Sequence, residues 1–368
     1  MLSPFGVNVE VSDIPGQPCQ ASTATTTPAS SSTIASSTSS TSASSTAAPS
    51  APSGFVKTSG QKFTLNGSTF TVVGANAYWV GLTGLSTANM NAAFADIAKT
   101  GATTVRTWGF NDVTSASGTY YQLWSGGIGT VNTGSTGLGN FDNVVAAAKA
   151  NGLRLIVSLT NNWSDYGGMD VYVNQIIGSG QPHDYFYTNA NVVAAYKKYI
   201  NTFVSRYVNE PGILGWELAN EPRCSGSTGA QVCIEAFLDR GGEGIDFTAN
   251  LAISTLDFGT AHSYPISWGQ TSNPSAWGVQ WIQDHATSQI TANKPVILEE
   301  FGVTSNQSST YSAWYSAIVS SGLAGDLIWQ AGSHLSSGDT PNDGYTIYPD
   351  NSVYTLETSH AAALKARG

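Results

Sequence analysis

The stretch 196–223, YKKYINTFVSRYVNEPGILGWELANEPR, holds the helix-to-strand unit that indicates the fold. Its first half places apolar residues at helical spacing, namely Tyr196, Ile200, Phe203, Val204 and Tyr207. Gly212 follows, and an almost wholly apolar run begins at Ile213. A helix that stops near a glycine and leads into an apolar strand is typical of a parallel sheet covered by helices.

The same unit recurs elsewhere in the chain. Gly101 precedes TTVRTW, Gly152 precedes LRLIVSL, and Gly322 and Gly325 precede DLIWQ. We therefore predict an α/β fold. A closed TIM-type (β/α)8 barrel is favoured over an open sheet, because no glycine-rich phosphate-binding loop follows the first strand. The dipeptide Asn66-Gly67 between two alternating segments further predicts a tight hairpin turn before the barrel.

The strand count departs from a complete barrel. Seven strands are recognisable, and they begin near Phe70, Thr103, Leu153, Ile213, Leu256, Val296 and Asp326. About eight are needed to close a barrel of this type. The interval between Ile213 and Leu256 is too short for a further strand with its helices, so we predict only seven clear strands, with a missing unit at the junction of Arg240 and Gly241.

Three segments divide the chain. Residues 1–20 carry no predicted fold and read as an N-terminal remnant, and residues 54–368 carry the barrel. Residues 21–53 are almost entirely Ser, Thr, Ala and Pro, which predicts a disordered linker of the kind found in O-glycosylated stalks of extracellular proteins. The start of the chain lacks the basic and apolar regions of a signal peptide, so the linker alone predicts a secreted protein.

The composition excludes several classes of partner. Charged residues make up 10% of the chain, against roughly 25% in an average soluble domain. The 10 Trp residues suit a neutral, hydroxylated ligand instead. A net charge of −10 argues against nucleic acid, and no segment is apolar enough for a membrane span. The His residues lack metal-ligand spacing, which predicts no metal site. Cys224 and Cys233 either close a small disulfide or stay reduced.

Polar residues at the C-terminal ends of barrel strands occupy the position typical of catalytic groups. The candidate carboxylates are Glu221 or Glu217 on one strand, and Glu299 or Glu300 on another. The other candidates at these ends are Arg106, Trp163, Asn220, Arg223, His262, Tyr264, Trp268 and Trp329. Each could instead be structural, as an ion pair, a packed histidine or a core tryptophan. Two carboxylates at one barrel mouth, with groups to hold a sugar, match the requirements of glycosidic bond hydrolysis.

Four motifs carry a resemblance to a known family. WELANEPR (216–223), HSYP (262–265), VILEEFG (296–302) and DLIWQAGSH (326–334) resemble glycoside hydrolase family 5, and most narrowly the fungal endo-β-1,4-mannanases of its subfamily 7. The resemblance implies endo-acting, retaining hydrolysis of β-1,4-mannosidic bonds in mannan, galactomannan and glucomannan. It also implies a monomer that needs no cofactor and whose partner is the β-mannan polysaccharide.

The resemblance also implies a role for each site residue. Glu221 is expected to be the general acid/base, protonated until it donates. Glu300, which directly precedes the aromatic-Gly pair, is expected to be the ionised nucleophile. Asn220 would bind the 2-hydroxyl of the cleaved sugar, and Arg106 and Tyr264 would hydrogen-bond the nucleophile. His262 would orient the acid/base region and Trp329 would form the floor under the cleaved sugar. Neighbouring sugars would contact three further residues, Trp163, Trp268 and Arg223.

Two alternatives stay open at this point. A β-1,4-glucanase could use the same scaffold, since the residues alone do not distinguish the 2-hydroxyl of mannose from that of glucose. A catalytically inactive polysaccharide-binding barrel is the other, and the missing strand unit favours it.

Overall fold

The computed structural model describes residues 53–223 and 246–368. Several features predicted from the sequence therefore lie outside the described residues. These are the N-terminal remnant 1–20, all but the last residue of the linker 21–53, the Cys224 and Cys233 pair, and the Arg240–Gly241 junction.

A single parallel sheet forms the centre of the fold, and almost every residue of its strands is buried. Its seven strands are β4 (Val72–Asn76), β5 (Thr104–Trp108), β9 (Arg154–Ser158), β10 (Ile213–Glu217), β11 (Gly259–Ser263), β12 (Val296–Phe301) and β13 (Gly325–Ile328). They lie in the order β10-β9-β5-β4-β13-β12-β11. The seven predicted strands are thus confirmed, each starting within three residues of its predicted position.

Helices cover the outer face of the sheet. They are α1 (Thr87–Lys99), α2 (Leu138–Ala150), α3 (Gly168–Ile177), α4 (Tyr185–Thr188), α5 (Ala190–Arg206), α6 (Phe247–Leu251), α7 (Pro274–Ala292), α8 (Gln307–Ser321) and α9 (Ser352–Arg367), with a 3-10 helix at Tyr78–Gly81. Gly101 and Gly152 follow α1 and α2 with φ of +85° and +73°, a left-handed conformation that glycine adopts without strain. Gly212 does not act in this way, since α5 ends at Arg206.

Eight shorter strands of the described residues form three smaller sheets. They are β1 (Val56–Ser59), β2 (Lys62–Leu65), β3 (Ser68–Thr69), β6 (Asp112–Val113), β7 (Gln122–Ser125), β8 (Ile128–Val131), β14 (His334–Leu335) and β15 (Gly338–Asp339). Asn66 and Gly67 connect β2 to β3 with φ of +52° and +83°, which confirms the predicted hairpin turn. Phe63 of β2 belongs to one buried cluster with the strand residues Ile156, Ile297 and Leu327, so this hairpin covers one end of the curled sheet.

The outermost strands of the sheet face each other across a seam. Within the described residues, β10 pairs only with β9 and β11 only with β12. The two edges approach through side chains: a Cβ at Gly215 would lie 3.1 Å from the ring of Phe258. Near the opposite end of the same seam, His262 Nδ1 lies 3.0 Å from Glu221 Oε1. The sheet is therefore a TIM-type barrel with seven described strands rather than the usual eight.

Along residues 53–223 and 246–368, every helix is too short or too polar to cross a membrane.

Candidate active site

The C-terminal ends of the central strands gather the predicted site residues into one cluster. Strand pairing places Asn76 of β4 beside Arg106 of β5, and His262 of β11 beside Glu300 of β12. Beyond β10, Asn220 forms an isolated parallel bridge with Asn161, which brings the NEPR segment next to the end of β9. The parallel topology thus collects residues far apart in sequence at one edge.

Glu221 lies at the mouth of this cluster. Its Oε2 accepts a hydrogen bond of 2.6 Å from Trp163 Nε1 and lies 3.5 Å from Arg223 Nη2. Its Oε1 lies 3.0 Å from His262 Nδ1. The backbone of Glu221 has a φ of +46°, a region that non-glycine residues rarely occupy and that is found most often at functional sites.

Glu300 faces Glu221 from β12 and is held by three groups. Arg106 Nη1 donates to its Oε1, and Tyr264 Oη donates to its Oε2 over 2.9 Å. His262 Nδ1 lies 3.3 Å from the same Oε2, so this one imidazole nitrogen stands between the two carboxylates.

Arg106 organises the floor of the site from a fully buried position. Its Nε lies 3.0 and 2.9 Å from the two oxygens of Glu217, and its Nη2 donates to Asn220 Oδ1 over 2.8 Å. Glu299 Oε2 lies 3.6 Å from the same Nε. Glu217 and Glu299 thus lie against the Nε of Arg106, whereas Glu221 and Glu300 both lie within 3.3 Å of His262 Nδ1.

The spacing of the two carboxylates suits one stereochemical course. One oxygen of Glu221, one oxygen of Glu300 and a ring nitrogen of His262 all lie within 4.8 Å of one another. Retaining glycosidases hold their carboxyl groups about 5 Å apart, whereas inverting enzymes leave room for a water, with roughly 6.5–9.5 Å between them. The same three atoms could approach a cation, but Arg106, Tyr264 and Trp163 already engage the two carboxylates. The expectation of no metal site stays a prediction.

The charges of the cluster differ from the expectation of a protonated Glu221. Burial acts to raise the pKa of Glu221, but His262, Trp163 and Arg223 outweigh it and lower this pKa to about 2. Burial raises the pKa of Glu300; His262 and Arg106 oppose this effect and the negative charge of Glu221 adds to it.

Comparison of the sequence with known families gives a match over most of the barrel. The model of the family described as Cellulase (glycosyl hydrolase family 5) matches residues 73–335, more than half of the chain. The chain belongs to glycoside hydrolase family 5.

Relatives of this family 5 chain include curated fungal proteins. Probable mannan endo-1,4-beta-mannosidase A of Aspergillus niger is 41% identical over 344 residues, covering 83% of this chain and 88% of that protein. Mannan endo-1,4-beta-mannosidase A of Aspergillus aculeatus is 40% identical over 350 residues, covering 85% and 91%. Among solved structures, the endo-1,4-beta-mannanase from Rhizomucor miehei superposes with a TM-score of 0.75 at 33% identity, covering 85% of this chain and 99% of that chain.

The three predicted tryptophans differ in their exposure and in the groups that they contact. Trp163 is 45% exposed, and the guanidinium of Arg223 lies 4.9 Å from the centre of its ring. Trp329 is partly exposed and stacks on Tyr78 at 5.5 Å with an interplanar angle of 4°. Trp268 is also partly exposed, and it packs edge-on against Tyr264 at 6.2 Å.

Several residues of the site were missed from the sequence. Asn76 is the last residue of the first barrel strand and Tyr78 follows it closely, so the strand-end rule would have found them had it been applied there. Burial raises the pKa of Tyr78 to about 12, so this ring stays neutral beside Trp329. Tyr166 and Asp343 lie in loops well beyond their strands, and no spacing in the sequence indicates them. Asp343 contacts Trp329 directly.

Proposed function

We propose that this chain is an endo-acting, retaining β-1,4-mannanase that cleaves mannan, galactomannan and glucomannan. The observation that carries the reaction type is the approach of Glu221 and Glu300 within 4.8 Å around His262, at the catalytic end of the barrel. The substrate class is supported by the names of the Aspergillus relatives and of the Rhizomucor structure. These names favour mannan over the glucan of the alternative hypothesis.

Glu300 is the proposed nucleophile. Arg106 and Tyr264 each donate to one of its oxygens, which fixes the carboxylate and favours its ionised form against burial. Its attack on the anomeric carbon breaks the glycosidic bond and forms a covalent glycosyl-enzyme. Glu221 protonates the leaving oxygen in this step and then, as a carboxylate, removes a proton from the water that hydrolyses the ester.

His262 is the proposed source of the acid proton. Its Nδ1 lies 3.0 Å from Glu221 Oε1, within hydrogen-bond reach. Transfer of one proton along this contact converts an imidazolium and a carboxylate into a neutral imidazole and a carboxylic acid. Formation of the ester neutralises the charge of Glu300, which also lies 3.3 Å from this nitrogen.

The remaining residues are proposed to bind sugars. Asn220 is fixed by Arg106 Nη2 at 2.8 Å and by Asn161 Oδ1 at 3.0 Å, which aims its amide at the 2-hydroxyl of the cleaved sugar. Trp329 offers its ring face to that sugar, and neighbouring sugars contact Trp163, Arg223 and Trp268. We further propose that the chain acts as a secreted, extracellular monomer without a cofactor, a proposal supported by the linker composition of residues 21–53.

The test is release of reducing sugar from galactomannan and from carboxymethyl cellulose by the purified chain. Release from galactomannan should exceed that from cellulose and should vanish in Glu300→Ala. The matched control Glu210→Gln removes a surface carboxylate that pairs with Lys149 and should leave the rate unchanged. Preferential release from cellulose would instead identify a glucanase. Mannan binding without release would identify an inactive binding barrel.

Azide separates the roles of the two carboxylates. With an aryl β-mannoside, Glu300→Ala and azide should give the α-mannosyl azide, because azide replaces the nucleophile on its own face of the sugar. Glu221→Ala and azide should give the β-mannosyl azide, because azide then replaces water on the glycosyl-enzyme. The reverse pattern would exchange the two roles.

A further inference from the structure

The carboxylate of Asp343 is held by four donors from its own chain. Its Oδ2 accepts from Trp329 Nε1 at 2.7 Å and from Gln330 Nε2 at 2.9 Å. Its Oδ1 accepts from the backbone N–H of Tyr345 at 3.0 Å. It also lies 3.2 Å from Thr346 Oγ1, whose single proton is shared with Pro341 O at 3.1 Å. A carboxylate offers about four acceptor positions. Three of them are therefore filled by the protein and the fourth is filled in part, although Asp343 itself is exposed in a loop.

These bonds weigh against the simplest alternative role. An exposed carboxylate beside a sugar platform would be expected to accept hydrogen bonds from sugar hydroxyls. Asp343 has at most one partly open acceptor position for that purpose, so its main influence on a substrate passes through the groups it holds.

The group nearest the chemistry is the indole of Trp329. Stacking on Tyr78 at 5.5 Å and 4° restrains the tilt of the ring, but offset-stacked rings slide and turn within their plane at little cost. The bond from Nε1 to a charged acceptor removes that freedom, because hydrogen bonds to ionised groups are the stronger and more directional ones. Together the two contacts fix both the plane and the in-plane position of the platform.

The loop that holds Asp343 also contacts Tyr264, a residue that holds the nucleophile. The ring of Tyr345 packs edge-on against Tyr264 at 5.5 Å and 77°, and its hydroxyl lies 2.9 Å from Ser267 Oγ. Tyr264 is the residue that donates to Glu300. A Cβ at Gly302 would come within 2.5 Å of the Tyr345 ring, so the backbone next to the nucleophile lies directly against this ring.

We propose that Asp343 is a positioning residue for the cleaved sugar: it fixes the Trp329 indole and joins this platform, through Tyr345, to the tyrosine that holds the nucleophile. The inference rests on the proposed function, because it takes Trp329 as the floor under that sugar. In sequence, Asp343 follows Gln330 by 13 residues and lies in a loop without a motif of its own.

A double-mutant cycle on mannopentaose hydrolysis tests the link to the indole. Asp343→Asn keeps the shape of the side chain but replaces one acceptor oxygen by an NH₂ donor. We expect kcat/KM to fall about tenfold to a hundredfold, since a hydrogen bond to a charged group is lost. In a Trp329→Phe background, which has no Nε1–H, the same change should lower kcat/KM by less than about threefold. Equal losses in both backgrounds would overturn the proposal.

The matched control is Thr346→Val in the same loop. It removes one donor to Asp343 Oδ1 and leaves both bonds to Oδ2 in place. We expect a loss of kcat/KM below about threefold, near the low end for one hydrogen bond, because Pro341 O at 3.1 Å already shares the single proton of Thr346. A loss as large as that of Asp343→Asn would show that loop stability, rather than the indole contact, determines the effect.

A readout that needs no activity separates this inference from the proposed function. In a ¹H–¹⁵N spectrum, the indole N–H signal of Trp329 is identified by its disappearance in Trp329→Phe. Asp343→Asn should move this signal upfield and speed its exchange with D₂O about tenfold or more, since a bond to a charged acceptor is lost. If the wild-type chain hydrolyses no mannan, the proposed function fails. If the indole signal of Trp329 does not move in Asp343→Asn, the positioning of Trp329 by Asp343 is overturned, whatever the activity. If Asp343→Asn does not fold, Asp343→Ser takes its place in both experiments. Serine retains an acceptor for the Tyr345 N–H but is too short to reach the indole.

Discussion

Replacing Arg106 by Gln should reverse the pH dependence of stability. Arg106 is fully buried and contacts Glu217, Glu299 and Glu300. Burial acts to raise the pKa of Glu299, but Arg106, Glu217 and His262 lower it from 4.5 to about 2. A change of about two pKa units corresponds to about 3 kcal/mol of stability. Breaking a buried ion pair by removing one partner costs about 3–5 kcal/mol, which agrees with this value.

The sign of the pH effect follows from the direction of the shift. In the wild-type chain the pKa of Glu299 is lowered, so its contribution is present above about pH 4.5 and is lost as the pH falls towards 2. In Arg106→Gln, burial is no longer opposed by the guanidinium and the pKa of this carboxyl rises. The variant should then be most stable below about pH 4.5 and lose stability as the pH increases.

Urea unfolding at several pH values between about 4 and 7 measures the difference. We expect Arg106→Gln to be less stable by about 3 kcal/mol at pH 7, a melting shift of roughly 6–12 °C, with a smaller gap at pH 4. Arg223→Gln is the matched control, because Arg223 is partly exposed and lies 3.5 Å from Glu221; we expect its effect to stay below about 1 kcal/mol. Parallel stability curves for Arg106→Gln and the wild type would refute the reasoning.

Two further predictions concern the packing of α9 on the sheet. The ring of His360 stacks on Tyr315 at 4.0 Å, and its Nε2 lies 2.6 Å from Asp326, which is 2% exposed. His360→Phe keeps an aromatic ring in this stack but removes that partner of Asp326, so we expect the free energy of unfolding in urea to fall by about 3–5 kcal/mol. The apolar pair Asp326→Leu with His360→Phe should recover most of this loss. Burial, and then the charge of Asp326, raises the pKa of Glu357 well above its usual range, so its contribution is fully present below about pH 4.5 and declines as the pH rises. Glu357→Gln should therefore melt higher than the wild type at pH 7 and equally at pH 4, and a constant difference between the two pH values would contradict this.

The barrel could be predicted because a short, mostly apolar run in the sequence indicates each strand. In the run LRLIVSL five of the seven residues are apolar, and the strand is buried on both faces, as a strand between a barrel interior and a helix layer requires. The strand expected near Leu256 begins instead at Gly259, because residues 253–256 form a turn before it. The hairpin of β7 and β8 was not predicted, since its alternation is short and its burial is incomplete.

The site could be predicted in its members but not in its charges. Strand ends identify Arg106, His262 and Glu300 because the topology alone brings them together. The protonation state depends on distances that no spacing encodes. His262 Nδ1 lies 3.0 Å from Glu221 and 3.3 Å from Glu300. Together with Trp163 and Arg223, this imidazole lowers the pKa of Glu221. The role of Asp343 depends likewise on a loop geometry that the sequence does not show.

The seam between β10 and β11 connects the closure of the barrel to the proposed activity. The proposed acid/base follows one edge strand and His262 belongs to the other, so their contact of 3.0 Å crosses the seam. Towards the other end of the seam the ring of Phe258 lies against Gly215, where a larger side chain would push the edges apart. Any opening of the seam therefore separates the proton donor from Glu221 before it disturbs Glu300, whose contacts to Arg106 and Tyr264 lie on the closed side of the sheet. A chain with an imperfectly closed barrel would keep the nucleophile Glu300 in place but would lose the proton donor to Glu221. Such a chain should be active only on substrates whose leaving groups need no protonation.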